Sequence, residues 1–353
     1  MDKIIVDGIQ EILGNLSKSN ISFSDKTVLV AGGAGFLGSW LCDVLVAQHA
    51  TVVSFDNYST GQSNNIAHLL GKNPQFTQLE VDVCSVGSIE FPIGIDFDFI
   101  FHFASPAAPP SFQTHPVEIL RANTIGTFQL LTIAEKYNAK MIYASTSEVY
   151  GNPLIKGPIS EDYNGNVNPL GIRGCYNEAK RAGEAFIKAF ERQHGVQGVI
   201  LRIFNTYGPR IEEGRVIPNF IKAVLSNQPL TIFGDGSQTR SFVYVTDEIE
   251  GILRAGALPE AKGAVINLGN DIKISIQELA ELFSKFEGRK LTHKYLPLPP
   301  DDPVRRCPNI QKAKKLLCWE PKVTIETGLE KTIGWFSRNV IANKHGRKEL
   351  KEN

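Results

Sequence analysis

The chain has 353 residues, 42% apolar and 21% charged, an ordinary balance for one large or two moderate globular domains that excludes a disordered or fibrous polypeptide. With 37 Lys and Arg against 37 Asp and Glu the formal net charge is zero, so the basic footprint of a nucleic-acid binder is missing. Five cysteines, at 42, 84, 175, 307 and 318, form no Cys-x-x-Cys pair and leave one over, which argues against a metal site or a disulfide framework and for thiols in a reducing compartment.

In the first 20 residues Asp2, Asp7 and Glu11 stand among Ile4, Ile5, Ile9, Ile12, Leu13 and Leu16. That spacing predicts a short amphipathic helix in an N-terminal arm over 1–25, packed on the domain or on a partner subunit, rather than a signal peptide. No apolar run approaches the roughly 20 residues that span a bilayer, so no membrane attachment is expected.

From Lys26 onward, β-branched runs at 27–30, 51–55, 76–81, 97–103, 140–144 and 199–203 alternate with helix-period segments, clearest at 35–48, 117–137 and 176–194. Repeated strand, helix, strand with short connections predicts an α/β fold, a doubly wound parallel (Rossmann) sheet covered on both faces. After Asn205 the rhythm breaks into pieces punctuated by Pro209, Pro218, Pro229, Gly234-Asp235-Gly236 and Leu296-Pro297-Leu298-Pro299-Pro300. The expected organisation is a nucleotide-binding domain over 26–205 to which 241–269 returns. A smaller interleaved C-terminal substrate-binding region is expected over 206–240 and 270–340, and a polar flexible tail over 341–353.

Gly32-Gly33-Ala34-Gly35-Phe36-Leu37-Gly38 follows the strand at 27–30 and opens a helix, with glycines at 32, 35 and 38. Residues without side chains let backbone N–H groups approach a pyrophosphate at the positive end of that helix. The second strand ends at Asp56, 18 residues after Gly38, close to the roughly 20 at which a carboxylate meets the adenosine ribose hydroxyls. An acid there repels a 2′-phosphate, so NAD is expected rather than NADP, with Asp82 at the next strand end facing the adenine amino group.

Thr146 stands at the end of the strand begun at Lys140, and Tyr176 precedes Lys180 by one helical turn on the same face. A phenol with a pKa of about 10 serves as a base near neutrality only if its anion is selectively stabilised. The Lys180 ammonium and a positive nicotinamide ring are expected to depress Tyr176, and Thr146 to hydrogen-bond the same substrate oxygen.

Nucleotide loop, strand-end Thr and Tyr-x-x-x-Lys in this order resemble the extended short-chain dehydrogenase/reductase superfamily. Further peptides narrow the resemblance: Asp56-Asn57-Tyr58-Ser59-Thr60-Gly61, Phe101-His102-Phe103-Ala104-Ser105-Pro106-Ala107, Thr146-Ser147-Glu148-Val149-Tyr150-Gly151, Gly165-Asn166-Val167-Asn168-Pro169, Arg202-Ile203-Phe204-Asn205-Thr206-Tyr207-Gly208-Pro209-Arg210, Gly234 to Phe242, and Asp301-Asp302-Pro303-Val304-Arg305-Arg306. From Lys26 to about Ile333 the chain resembles the UDP-glucuronate decarboxylases, also called UDP-xylose synthases.

The resemblance implies oxidation of the sugar at C4 by bound NAD, loss of carbon dioxide from the resulting β-keto acid, and re-reduction by the same NADH to give UDP-xylose. It implies Thr146, Ser147, Glu148, Tyr176, Lys180 and Arg306 as the catalytic set, Glu148 and Arg306 lying near the substrate carboxylate and C5. NAD contacts are implied for Gly32, Gly35, Phe36, Leu37, Gly38, Asp56, Asn57, Ser59, Thr60, Gly61, Asp82, Val83, Phe103, Ala104, Ser105 and Asn123, with Tyr176 and Lys180. UDP-sugar contacts are implied for Pro106, Asn205, Arg215, Val216, Asn219, Thr231, Phe233 and Arg240, with Glu148 and Arg306; the Arg240 fork suits two phosphate oxygens.

The 4,6-dehydratases of the superfamily carry Asp-Glu after the catalytic Thr, whereas Ser147 stands here in place of that Asp; the 4-epimerases lack a carboxylate at position 148. The resemblance also implies a two-fold homodimer through a four-helix interface built by the helices at 117–137 and 176–194. Cys175 matches the family and Cys307 replaces a common Lys. The leader Met1 to Asp25 stands where animal relatives have a membrane anchor, which implies a cytoplasmic enzyme. The alternatives are another nucleotide-sugar enzyme (a 4-epimerase, a 4,6-dehydratase or a decarboxylase releasing the UDP-4-keto-pentose) and a non-catalytic NAD-sensing protein on the same fold. In that last class the Tyr or the Lys is usually lost, and both are present.

Overall fold

The structure, a computed structural model, describes residues 1–88, 95–299, 301–302 and 305–349. Pro300, Pro303 and Val304 of the peptides above, and 350–353 of the expected tail, lie outside the described residues. Among the described residues, β1 (Thr27–Ala31), β2 (Thr51–Asp56), β3 (Phe76–Glu80), β4 (Phe99–His102), β5 (Lys140–Thr146) and β6 (Gly198–Ile203) join the strand Val265–Leu268 in a seven-stranded sheet. Its order is Val265–Leu268, β6, β5, β4, β1, β2, β3, and every neighbouring pair is parallel. The sheet is doubly wound, as expected.

Alternation along the strands explains the two covered faces. In β1, Val28 and Val30 enter one hydrophobic core while Leu29 and Ala31 enter the other. The first core is closed by α1 (Lys3–Lys18) and α2 (Phe36–Ala47), and the second by α4 (Pro116–Tyr137), which follows the short α3 (Ser111–Thr114), and α5 (Gly174–His194). α1 is the amphipathic helix expected from the sequence; it buries Ile5, Ile9, Ile12 and Leu16 against the domain, and the Asp2 carboxylate caps it by accepting from Ile4 N at 2.8 Å. Among the described residues no helix is long and apolar enough to cross a membrane.

Beyond β6 lie α6 (Val216–Leu225) and α7 (Val245–Ala257). Strand Leu230–Phe233 pairs with His293–Leu296, and Thr239–Arg240 with Ile274–Ser275, making small ribbons at the carboxyl edge of the main sheet. α7 packs on α1 and the sheet, and its last carbonyls are satisfied by Lys140 Nζ, which donates to Ala255, Gly256 and Leu258 O at 2.7–3.1 Å. The final helix runs over Ile325–Glu349, so the segment expected as a tail is helical as far as Glu349.

The first turn of α7 carries two buried acids. Asp247 is raised to about 6 by burial, although it accepts from Lys322 N and Val323 N. Glu248 is fully buried, and burial with the nearby Asp247 pushes it up to about 8 against a hydrogen bond from Thr206. A carboxyl whose folded pKa lies above its unfolded value stabilises the fold least at high pH: the contribution is complete below about 4.5 and is lost as pH rises towards 8. Replacing Glu248 by Leu is therefore expected to raise the melting temperature, with a gain that grows from pH 5 to pH 8 and reaches on the order of 3 kcal/mol. Thermal unfolding of the two proteins across that range checks it; a gain independent of pH would contradict the assignment.

Candidate active site

The carboxyl ends of the strands open into a cavity of about 1200 Å³. At one end the β1–α2 turn, the ends of β2 and β3 and the segment after β4 form its wall, and at the other the end of β5, the start of α5, the segment after β6, α6 and the small ribbons. Of the site residues named from the sequence, all line this cavity except Asn123. Asn123 is buried on α4 and donates to Ser105 Oγ at 2.8 Å, so it fixes a wall residue from behind.

At the centre, Thr146 ends β5, and its Oγ1 accepts from Glu148 N at 3.3 Å, turning the chain into the short helix Ser147–Tyr150. Tyr176 lies in the first turn of α5, its ring stacked on Phe112 at 5.1 Å and hydrogen-bonded to Thr146. Lys180 is one turn on, its Nζ donating to Ala144 O at 2.7 Å and lying 5.8 Å from the Tyr176 ring centre. The protonation balance differs from the expectation. Burial raises Tyr176 to about 12 against the Thr146 hydrogen bond, and burial lowers Lys180 to about 7 against the pull of Glu184. In the protein by itself desolvation dominates both groups, because each charged form would be buried.

Glu148 is the hub of a charged cluster. Its Oε1 accepts from Arg306 Nη1 and its Oε2 from Arg173 Nη2 at 2.7 Å. Burial alone would raise this carboxyl, but the two guanidiniums outweigh it and hold Glu148 at about 2. Arg306 does not pair with Asp301 or Asp302. Asp302 accepts instead from Arg240 Nη2 at 2.8 Å and from Arg173 Nη1 at 3.4 Å, while Asp301 accepts from Asn168. Arg173, Asp302 and Glu212 were not named from the sequence. The Arg173 position, three residues before Tyr176 at the head of its helix, was the available signal, since a side chain there shares the wall with the phenol.

The nucleotide-sugar residues have mixed surroundings. Arg215 donates to Ala107 O and Glu212, and its Nε is buried without a partner among the described residues. Asn219 accepts from Gly214 N at 3.1 Å, and Asn205 donates to Ser241 O at 3.4 Å, so both also tie loops together. Val216 opens α6, and Thr231 and Phe233 lie on the strand Leu230–Phe233.

The family model "NAD dependent epimerase/dehydratase family" matches residues 28–269. The chain belongs to this family. It is 43% identical over 317 residues to UDP-glucuronic acid decarboxylase 1 of Danio rerio, covering 89% of this chain and 73% of that one. To UDP-glucuronic acid decarboxylase 6 of Arabidopsis thaliana it is 42% identical over 317 residues, 89% of this chain and 90% of the relative. Among solved structures, UDP-glucuronic acid 4-epimerase from Bacillus cereus in complex with UDP-glucuronic acid and NAD superimposes with a TM-score of 0.78 at 31% identity, over 88% of this chain and 99% of that chain.

NAD is the cofactor of the epimerase/dehydratase family, and the residues present fit it. No side chain caps the N-terminus of α2, so its first-turn amides, at Phe36, Leu37 and Gly38, are left to the cavity they line. Gly32 adopts a φ of +87°, and a Cβ on Gly38 would stand 2.0 Å from Gly32 O. Asp56 accepts from Ala34 N and Tyr58 N and is raised by burial against those donors. Asp82 accepts from Cys84 N at 2.8 Å and stays exposed at the rim. Gly38→Ala, which forces the turn apart, is expected to weaken NAD binding by at least about tenfold. Calorimetric titration with NAD checks it, and unchanged affinity would show that the turn can relax.

Proposed function

We propose that this chain converts UDP-glucuronate to UDP-xylose, with transient oxidation at C4 and loss of carbon dioxide from C6. The observation that carries the reading is the Glu148–Arg306 pair, one residue beyond the Thr146–Ser147 turn and in the same cavity as Tyr176 and Lys180. Two relatives named UDP-glucuronic acid decarboxylase, each above 40% identity over most of the chain, support it. Gly32, Gly35, Phe36, Leu37, Gly38, Asp56, Asn57, Ser59, Thr60, Gly61, Asp82, Val83, Phe103, Ala104 and Ser105 would hold NAD, with Asn123 supporting Ser105. When bound, NAD takes two electrons from C4 and later returns them.

The chain's own residues do the rest. Tyr176 accepts the O4 proton, and Thr146 orients that oxygen. The phenolate lies in the first turn of α5, whose positive end favours an anion. Oxidation leaves a ketone β to the C6 carboxylate, so the electrons of the C5–C6 bond can flow into the C4 oxygen as carbon dioxide departs. Tyr176 then hydrogen-bonds to that enolate oxygen, with Lys180 close by, a water ordered beside Glu148 and Ser147 gives C5 its proton, and Tyr176 returns its proton to O4 as C4 is reduced. Arg306 anchors the carboxylate, Glu148 and Ser147 order the space beside C5, and Arg240 with Arg215 meets the diphosphate. Pro106, Asn205, Val216, Asn219, Thr231 and Phe233 complete the nucleotide wall.

Incubation with UDP-glucuronate should release carbon dioxide and UDP-xylose with no net NADH; NADH in step with a keto pentose would point to the sister reaction, and no carbon dioxide would end the reading. Tyr176→Phe should lower turnover by about 10²-fold or more with substrate binding retained, and Arg306→Ala should weaken both binding and carbon dioxide release.

We further propose a cytoplasmic homodimer. Val117, Leu120, Ile125 and Phe128 expose an apolar stripe along one side of α4 next to α5, and the five cysteines are free. Phe128→Glu should halve the mass seen by sedimentation; an unchanged mass would place any interface elsewhere.

A further inference from the structure

We infer that Glu212 competes with the diphosphate of the nucleotide sugar for the Arg215 guanidinium, and so sets how tightly that diphosphate is held and how readily the product leaves. The inference rests on the proposed contact between Arg215 and the diphosphate, and adds to it a residue that reading did not use.

Hydrogen-bond geometry leads there. Arg215 Nη2 donates to Glu212 Oε1 at 3.0 Å and to Ala107 O at 3.2 Å, while its Nε is buried with no partner among the described residues. Both side chains line the cavity, and both charges are felt at Tyr176, Arg215 lowering the phenol and Glu212 raising it. Arg215 is also the N-cap residue of α6, whose first turn carries no acid and whose end has no side-chain cap, so the positive end of the helix acts on the anion that Arg215 holds. Glu212 thus presents to Arg215 what a phosphate presents, an oxygen anion on a guanidinium at the head of a helix.

Two acids hold the arginines assigned to the diphosphate, and Glu212 is the one free to let go. Asp302 joins Arg240 to Arg173, so withdrawing it breaks two contacts. Glu212 has Arg215 as its single hydrogen-bond and ion-pair partner among the described residues, and the side chains are 27% and 30% exposed, a setting in which an ion pair adds little to stability. The backbone on either side is fixed, since Ile211 is buried and Gly214 N donates to Asn219 Oδ1 at 3.1 Å. Glu212 also lines a second cleft of about 520 Å³, together with Thr60 and Ser111. Rotation of its side chain from the cavity into that cleft exchanges Arg215 for water and hydroxyl groups.

The proposed chemistry gives the exchange a use. Substrate and product share the diphosphate, so a contact to it binds both alike; it does nothing for the bond-breaking step and delays departure of the product. An acid contending for Arg215 offsets part of that uniform binding.

The test measures UDP binding to the NAD-loaded protein at low salt, where no turnover intervenes. Glu212→Gln should tighten UDP by about threefold or more. Glu213→Gln removes the same charge from a neighbouring pair with Lys222 outside the cavity, and should change UDP affinity by less than about twofold. In an Arg215→Gln background the effect of Glu212→Gln should likewise fall below about twofold. No gain from Glu212→Gln, a gain matched by Glu213→Gln, or a gain that survives without Arg215 would overturn the inference. If Arg215→Gln does not hold NAD, Arg215→Met, which keeps the length of the stem, completes the cycle. The Arg215 variant alone separates this inference from the reading beneath it: unchanged UDP affinity removes Arg215 from the diphosphate and both fall, whereas weakened UDP binding with no gain from Glu212→Gln keeps that contact and loses the inference.

Discussion

The ion pair between Glu148 and Arg306 joins segments 158 residues apart, and the proposed chemistry at the sugar end is built around it. Glu148 hangs from the end of a central strand, whereas Arg306 arrives from the small region that follows the Pro-rich stretch. Each would be costly alone: Arg306 is 2% exposed and Glu148 13%. Removing Glu148 would strand the Arg306 guanidinium at a cost of about 3–5 kcal/mol, whereas Glu148 would keep Arg173 if Arg306 were lost. The strand end and the later segment are therefore held together by groups that line the cavity, and Asp302 repeats the device by joining Arg173 to Arg240.

That closure explains which parts of the site could be read along the chain. The glycine turn, the carboxylate ending β2 and the Tyr-x-x-x-Lys helix are local patterns, and each forms within one strand, turn and helix. The apolar run 140–144 stops two residues short of β5, and the strand ends at Thr146 as the motif placed it, Ser145 and Thr146 pairing with Arg202 and Ile203 of β6. β4 is shorter than the apolar run at 97–103, since its ladder with β1 covers Phe99–His102. Arg173 pairs with Asp302 129 residues away, and no local signal reports such a contact. Asn123, named through family resemblance, acts one layer behind the wall.

Tyr176 shows the same limit in energetic form. Spacing places Lys180 beside it, and spacing alone predicts a depressed phenol. Burial is a property of the folded molecule: with Tyr176 6% and Lys180 3% exposed, each charged form loses its water, and the phenol rises while the ammonium falls. The pair thus favours the neutral phenol in the protein alone, and the proposed removal of the O4 proton by Tyr176 would need the further positive charge of a loaded nucleotide site.

The arginine cluster raises a problem that Glu148 resolves. Decarboxylation turns a carboxylate into neutral carbon dioxide, so a site that only stabilised the carboxylate would deepen the ground state and slow the step. With Arg306 shared between Glu148 and the substrate carboxylate, as the proposed function has it, that guanidinium is not wholly committed to the ligand. As the substrate charge leaves C6, the electrons move towards the C4 oxygen near Tyr176 and Lys180, and Glu148 remains as the anion for both arginines. On the proposed reading the carboxylate has to be held firmly enough to keep the ring from turning, and loosely enough to be lost. A neutral residue at 148 would remove that balance in one stroke: the uronate would bind more tightly and break down more slowly.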